Sequence, residues 1–83
     1  MGFIPSAPRV VVYHAQGCHL CDKALALVRA VCPGAETVDI GGDENLEARY
    51  REWLPVVEID GERVFTYYVH PEAFRRKLAQ ARG

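Results

Sequence analysis

The hydrophobic pattern in the first half of the chain predicts a strand, a helix and a second strand. The run Val10–Tyr13 is β-branched or aromatic on both faces, which is typical of a central strand covered by helices. From Leu20 onward, apolar residues recur at offsets of 0, 4, 7, 8 and 11, the spacing of one helix face, and Pro33-Gly34 ends that helix. Polar and apolar residues then alternate over Glu36–Ile40, which predicts a second strand.

A second helix is predicted after this strand. Asp43 is a suitable N-cap, and Leu46, Tyr50 and Trp53 follow at the spacing of one helix face. The helix should end before Pro55, because the residue before a proline disfavours the helical region.

A β-hairpin and a last helix complete the pattern. Two β-rich runs, Val56–Ile59 and Glu62–Val69, flank Asp60-Gly61, a dipeptide that favours a tight hairpin turn. Pro71 stands at the first position of the last helix. The packing face of this helix has members at offsets of 0, 4 and 7, which are Phe74, Leu78 and Ala81. The order β-α-β-α-β-β-α predicts an α/β fold with a four-stranded mixed sheet, helices on both faces and a parallel first pair of strands.

Length and composition indicate one small globular domain. The chain has 83 residues, of which 49% are hydrophobic and 25% charged, and it has no second zone of composition. Pro5 and Pro8 suggest that residues 1–8 form an extended leader, which assigns residues 9–83 to the domain. The net charge of -1 provides no field to attract nucleic acid or anionic lipid, so these partners are not expected.

The cysteine content favours a cytoplasmic protein, and a monomer is expected. Three cysteines are an odd number and too few for a disulfide-stapled secreted scaffold. The start of the chain lacks the features of a secretory signal. Every apolar run is far shorter than the roughly 20 residues needed to cross a bilayer, so no membrane association is expected.

Cys18 and Cys21 carry the candidate chemistry. Two thiols in the first turn of a helix are able to close into a disulfide, and the upstream thiol lies where backbone N–H groups favour a thiolate. Redox chemistry is therefore the leading hypothesis. Half of a zinc site is the alternative, but no second CxxC is present and Cys32 lies about 16 Å farther along the helix. No metal site within one chain is predicted, while a metal cluster shared between two chains through Cys18 stays open.

The chain from Val10 to about Leu78 resembles the glutaredoxin and thioredoxin superfamily, and most closely the short glutaredoxin-like proteins. The motifs that carry the resemblance are Gly17-Cys18-His19-Leu20-Cys21-Asp22 after a strand, Leu54-Pro55-Val56, and the Asp60-Gly61 hairpin. The resemblance implies a thioredoxin fold and a thiol–disulfide oxidoreductase or electron carrier. It also implies that Cys18 is the exposed nucleophile and Cys21 the more buried resolving thiol.

Three further residues are candidates for substrate binding. Pro55 resembles the cis-proline of the family, which implies that the backbone of Leu54 forms part of the substrate groove. His19, between the two cysteines, either stabilises the Cys18 thiolate when protonated or is simply an exposed polar residue.

Tyr67 and Tyr68 either form an aromatic wall near the site or divide between core and surface.

The expected partner is a disulfide-containing protein or a small thiol compound, recycled by a reductase or by glutathione. No resident cofactor is expected. Glutathione-binding glutaredoxins carry a lysine three residues before the first cysteine, a position that is Ala15 here. Their Gly-Gly and acidic step before the last helix is replaced by Tyr67–Glu72. Glutathione is therefore a doubtful co-substrate. The competing class is a redox-inert module of the same fold that docks a partner.

Overall fold

The computed structural model describes residues 8–82, without the side chain of Arg82. The elements are β1 (Val10–His14), α1 (His19–Val31), β2 (Glu36–Asp39), α2 (Glu44–Tyr50), a single 3₁₀ turn (Arg51–Trp53), β3 (Val56–Ile59), β4 (Glu62–Thr66) and α3 (Pro71–Arg82). This order confirms the predicted β-α-β-α-β-β-α. The predicted leader lies outside the described residues except for Pro8. No helix in the described part of the chain is long and apolar enough to span a membrane.

The four strands form one mixed sheet in the order β2-β1-β3-β4. β1 runs parallel to β2 and antiparallel to β3, and β3 runs antiparallel to β4. The sheet confirms the predicted parallel first pair. β1 is hydrogen-bonded on both sides, as its doubly apolar sequence predicts, because a strand in this position is covered on both faces.

Alternate residues of β1 enter two separate hydrophobic clusters on opposite faces of the sheet. Val10 and Val12 belong to the larger cluster, which packs under α1 and α3. Its buried members are Val10, Val12, Val28, Val57, Ile59, Phe74 and Leu78. Tyr13 packs against the smaller cluster, which includes α2 and the start of α1. Its buried members are Ala15, Cys21, Ile40, Tyr50, Leu54 and Val56. Helices therefore cover both faces, as predicted.

The turn between β3 and β4 is the predicted tight hairpin. Asp60 has φ of 52° and Gly61 has φ of 82°, and two successive positive φ values match the twist of the flanking strands. The Asp60 side chain is also held by Arg9, whose backbone N–H donates to Asp60 Oδ1 at 2.9 Å. Asp-Gly suits this turn because both residue types tolerate the left-handed region.

Strand β4 is shorter than predicted. It ends at Thr66, and the extension to Val69 is wrong. Tyr67 has φ of 67°, which breaks the pleat of the strand. Its N–H donates to the carbonyl of Pro55 at 3.0 Å, so a contact distant in sequence fixes this turn.

The second helix begins as predicted but changes its geometry before its end. Asp43 Oδ1 accepts a hydrogen bond from the N–H of Leu46 at 3.1 Å, which confirms the N-cap. After Tyr50 the chain tightens into the 3₁₀ turn. A 3₁₀ helix rotates farther per residue than an α-helix, so Trp53 leaves the packing face and is 41% exposed. Its predicted place on that face is wrong.

Candidate functional site

Cys18 is the N-cap of α1. Gly17 has φ of 79°, and this left-handed glycine turns the chain from β1 into the helix. Cys18 itself is extended, and its Sγ accepts a hydrogen bond from the N–H of Cys21 at 3.1 Å. The sulfur therefore lies at the positive end of the helix dipole, a position that favours negative charge.

The two cysteines differ in their access to solvent. Their Sγ atoms lie within bonding reach, and the structure describes them as a disulfide with a Cα–Cα distance of 5.1 Å. Cys18 is half-buried, whereas Cys21 is fully buried in the smaller cluster. Cys18 is therefore the more accessible cysteine of the pair. Among residues 8–82, no three His, Cys, Asp or Glu side chains lie close enough to share a metal ion.

The structure brings Leu54 to the cysteine pair. The Leu54-Pro55 peptide bond is cis, as predicted, and both residues are buried. Leu54 shares the smaller cluster with Cys21, and Cys18 packs against that cluster. His19 is exposed at the first position of α1. The participation of Leu54, Pro55 and His19 in substrate binding stays a prediction.

Tyr67 holds the segment around the cis-proline, a role that the sequence did not reveal. Its N–H donates to Pro55, and its Oη donates to the carbonyl of Glu52 at 3.0 Å. Its ring centroid lies 6.1 Å from that of Trp53. A positive φ is rare for a bulky side chain and persists only where the surroundings hold it, as these contacts do here. The one feature of the sequence that pointed to a special role for Tyr67 was its position, in the stretch where glutathione-binding glutaredoxins carry Gly-Gly.

A polar network borders the smaller cluster on the side of α2. The rings of Tyr13 and Tyr50 are stacked, with centroids 4.0 Å apart. Tyr50 Oη donates to Glu58 Oε2 at 3.0 Å, and the Arg63 guanidinium lies 5.6 Å from the Tyr50 centroid. Burial, assisted by the hydrogen bond to Glu58, raises the pKa of Tyr50 well above its usual value.

The raised pKa of Tyr50 predicts a loss of stability at alkaline pH. The unfolded chain loses the Tyr50 proton first, so this contribution to stability is complete below about pH 10 and falls as the pH rises further. In Tyr50→Phe, the free energy of unfolding should decline less steeply above about pH 10, by up to roughly 1.4 kcal/mol per pH unit. Urea unfolding of the oxidised protein at a series of pH values measures this slope.

The matched control is Tyr68→Phe, because Tyr68 is 63% exposed. This variant should keep the parental slope. Equal slopes for the parent and Tyr50→Phe would show that Tyr50 does not titrate as described.

Comparison with known proteins identifies the class of fold and then the family. The crystal structure of the structural genomics target XcR50 from X. campestris aligns with a TM-score of 0.74 and 26% identity, covering 86% of this chain and 96% of that one. The solution structure of Ne2328 from Nitrosomonas europaea aligns with a TM-score of 0.72 and 24% identity, covering 93% of this chain and 98% of that one. The crystal structure of Malassezia sympodialis thioredoxin (Mala s 13) aligns with a TM-score of 0.66 and 15% identity, covering 93% of this chain and 76% of that one. The chain therefore has the thioredoxin fold.

The family follows from the sequence itself. The model of the Glutaredoxin-like domain (DUF836) matches residues 9–79, and the chain belongs to this family. Among curated proteins, no sequence matches the chain. The predicted thioredoxin fold and the predicted kinship with glutaredoxin-like proteins are thus confirmed.

Proposed function

We propose that this protein is a thiol–disulfide oxidoreductase or electron carrier that works through Cys18 and Cys21. The observation that carries the proposal is the pairing of a half-buried cysteine with a fully buried one at the start of α1. Cys18 Sγ accepts the Cys21 N–H at 3.1 Å, and Cys21 is 0% exposed. Membership of the glutaredoxin-like family supports the same chemistry.

The reaction begins with attack by the Cys18 thiolate on a partner disulfide. A bond forms between Cys18 Sγ and one partner sulfur, and the other partner sulfur leaves as a thiolate and takes a proton from water. The Cys21 thiol then gives up its proton to water and attacks Cys18 Sγ, which expels the second partner sulfur as a thiolate and closes the Cys18–Cys21 disulfide. The expelled thiolate takes a proton from water. Two electrons have passed to the partner disulfide, and an external reductase or thiol supplies two more to reduce the Cys18–Cys21 disulfide again.

The local structure gives each sulfur its part in this sequence. The N–H of Cys21 and the dipole of α1 stabilise negative charge on Cys18. The Cα–Cα distance of 5.1 Å allows the pair to close without a large backbone movement. Burial keeps Cys21 away from the partner, so it reacts only with the mixed disulfide on Cys18. We assign Leu54, Pro55 and His19 to the surface on which the partner is held.

The surroundings of Ala15 favour a protein, or a small thiol other than glutathione, as the partner. Ala15 is 5% exposed and provides no cation for a carboxylate. The cavity beside it is also lined by Arg51, but this guanidinium is already paired with Glu47 at 2.7 Å.

The further parts of the proposal are a cytoplasmic location, a monomeric state and no resident cofactor.

The Cys21→Ser variant tests the order of events. Without the resolving thiol, the reduced variant should accumulate a mixed disulfide with a small disulfide such as bis(2-hydroxyethyl) disulfide. Mass spectrometry and peptide mapping should locate this adduct on Cys18, at close to one adduct per chain.

The result that would overturn the proposal is an adduct on another cysteine, or no adduct at all. Visible absorbance, or stoichiometric iron or zinc by metal analysis of freshly purified protein, would also contradict it, in favour of a metal-cluster carrier.

A further inference from the structure

The large apolar side chains that are exposed in the described part of the chain lie on two segments next to the cis-proline and after β4. They are Trp53, Tyr67 and Tyr68, which are 41%, 40% and 63% exposed. Trp53 immediately precedes Leu54-Pro55, and its ring contacts that of Tyr67. Clustered exposed aromatic residues typically mark a binding surface, where Trp and Tyr often dominate affinity.

Tyr67 and Tyr68 line a groove of about 200 Å³ that begins at Leu20, the residue before Cys21, and runs along α1. The helix contributes Leu20, Ala24 and Leu27, which lie on one face because they are four and three residues apart. The segment after β4 forms the opposite wall. The lining residues are Leu20, Lys23, Ala24, Leu27, Tyr67, Tyr68 and Val69. Lys23 is the one charged residue among them, and it makes the charge of the groove positive.

We propose that this groove binds an apolar side chain of the partner protein, close to the cysteine that Cys18 attacks, with an acidic neighbour beside Lys23. The inference rests on the proposed function and specifies its substrate. From Cys18 to Ala24, in the middle of the helix wall of the groove, the helix advances about 9 Å, and an extended peptide covers this distance in about three residues. The groove therefore selects a cysteine that has a hydrophobic residue about three positions away.

The same geometry disfavours glutathione. That tripeptide has two carboxylates and no apolar side chain, so it would leave the groove empty and would meet a single lysine. A protein segment with a leucine or phenylalanine near its cysteine fills the groove and removes apolar surface from water.

The test compares two disulfide-linked peptide dimers that differ only in the residues that should enter the groove. Both peptides carry one cysteine and nearby aspartates, with leucine about three residues from the cysteine on either side in one peptide and serine in the other. The reduced Cys21→Ser variant attacks each dimer through Cys18, which forms one mixed disulfide and releases one peptide thiol. The initial rate of mixed-disulfide formation is measured by mass spectrometry and divided by the rate with bis(2-hydroxyethyl) disulfide.

The leucine peptide should react about tenfold faster than the serine peptide, the effect of partly burying one leucine side chain. Adding Leu27→Ser or Tyr68→Ser should reduce this preference to less than about twofold, and Lys23→Glu should slow both aspartate-bearing peptides. The matched control is Val64→Ser. Val64 packs against the larger cluster as Leu27 does, but it does not line the groove, so this variant should keep the preference.

The outcomes separate this inference from the proposed function. Equal normalised rates for the two peptides, with normal attack on the small disulfide, overturn the groove and leave the proposed chemistry standing. Loss of the preference in Val64→Ser as well as in Leu27→Ser also overturns the groove, because the effect would then come from the core. Failure of Cys18 to attack any disulfide overturns both.

Discussion

Cys18→Ser is expected to abolish thiol–disulfide exchange. A serine hydroxyl has the same place at the N-cap but is not ionised near neutral pH, so the nucleophile is lost while the cap of α1 is kept. The rate should fall to that of the reductant alone, because no protein thiolate is left at the N-cap to attack the disulfide. Reduction of bis(2-hydroxyethyl) disulfide, with dithiothreitol as the electron source, measures this loss.

The chain contains its own control for this substitution. Cys32 is the remaining cysteine, half-buried at the C-cap of α1 and packed against the larger cluster. Cys32→Ser should keep the exchange rate within about twofold, since it removes a thiol but leaves the N-terminal pair intact. If Cys18→Ser retained the parental rate, or if Cys32→Ser lost it, the assignment of Cys18 as nucleophile would be wrong.

Phe74→Ala is expected to give the largest loss of stability. Phe74 is 0% exposed, and its ring meets that of Phe65 edge-on with centroids 6.3 Å apart. Truncation leaves a cavity between α3 and the sheet, which should cost about 3–5 kcal/mol, a large share of the roughly 5–15 kcal/mol that stabilises a small domain. The midpoint of urea unfolding, measured on the oxidised protein, reports this loss.

Arg75→Ala is the matched control on the same helix. Its side chain is exposed, so the free energy of unfolding should change by less than about 0.5 kcal/mol. A loss below about 1.5 kcal/mol in Phe74→Ala would show that α3 is not packed as described.

The fold was largely predictable because local rules determine most of its elements. The apolar spacing in α1 and α3, the N-cap at Asp43 and the Asp60-Gly61 turn each depend on neighbours in sequence. The motif of Cys18 and Cys21 is local in the same way. The cis peptide bond before Pro55 was different, because only the resemblance to a family suggested it.

The parts of the site that were not predicted depend on contacts between distant segments. Tyr67 has a sequence typical of a strand, and its turn comes from hydrogen bonds to Pro55 and Glu52, which precede it by more than ten positions. The exposure of Trp53 follows from a 3₁₀ turn that no local residue announces. The groove along α1 arises because the segment after β4 folds back against the helix, so its shape required the tertiary structure.

The burial of Cys21 links the redox state of the pair to the stability of the domain. Cys21 shares the smaller cluster with Tyr50 and Leu54, so opening or closing the bond to Cys18 acts on packed core atoms. In a thermodynamic cycle, any difference in unfolding free energy between the oxidised and reduced forms equals a difference in reduction potential between the folded and unfolded chain, with about 30 mV for each 1.4 kcal/mol. Substitutions in the smaller cluster beneath α2 can thus shift the reduction potential of the pair without changing either cysteine.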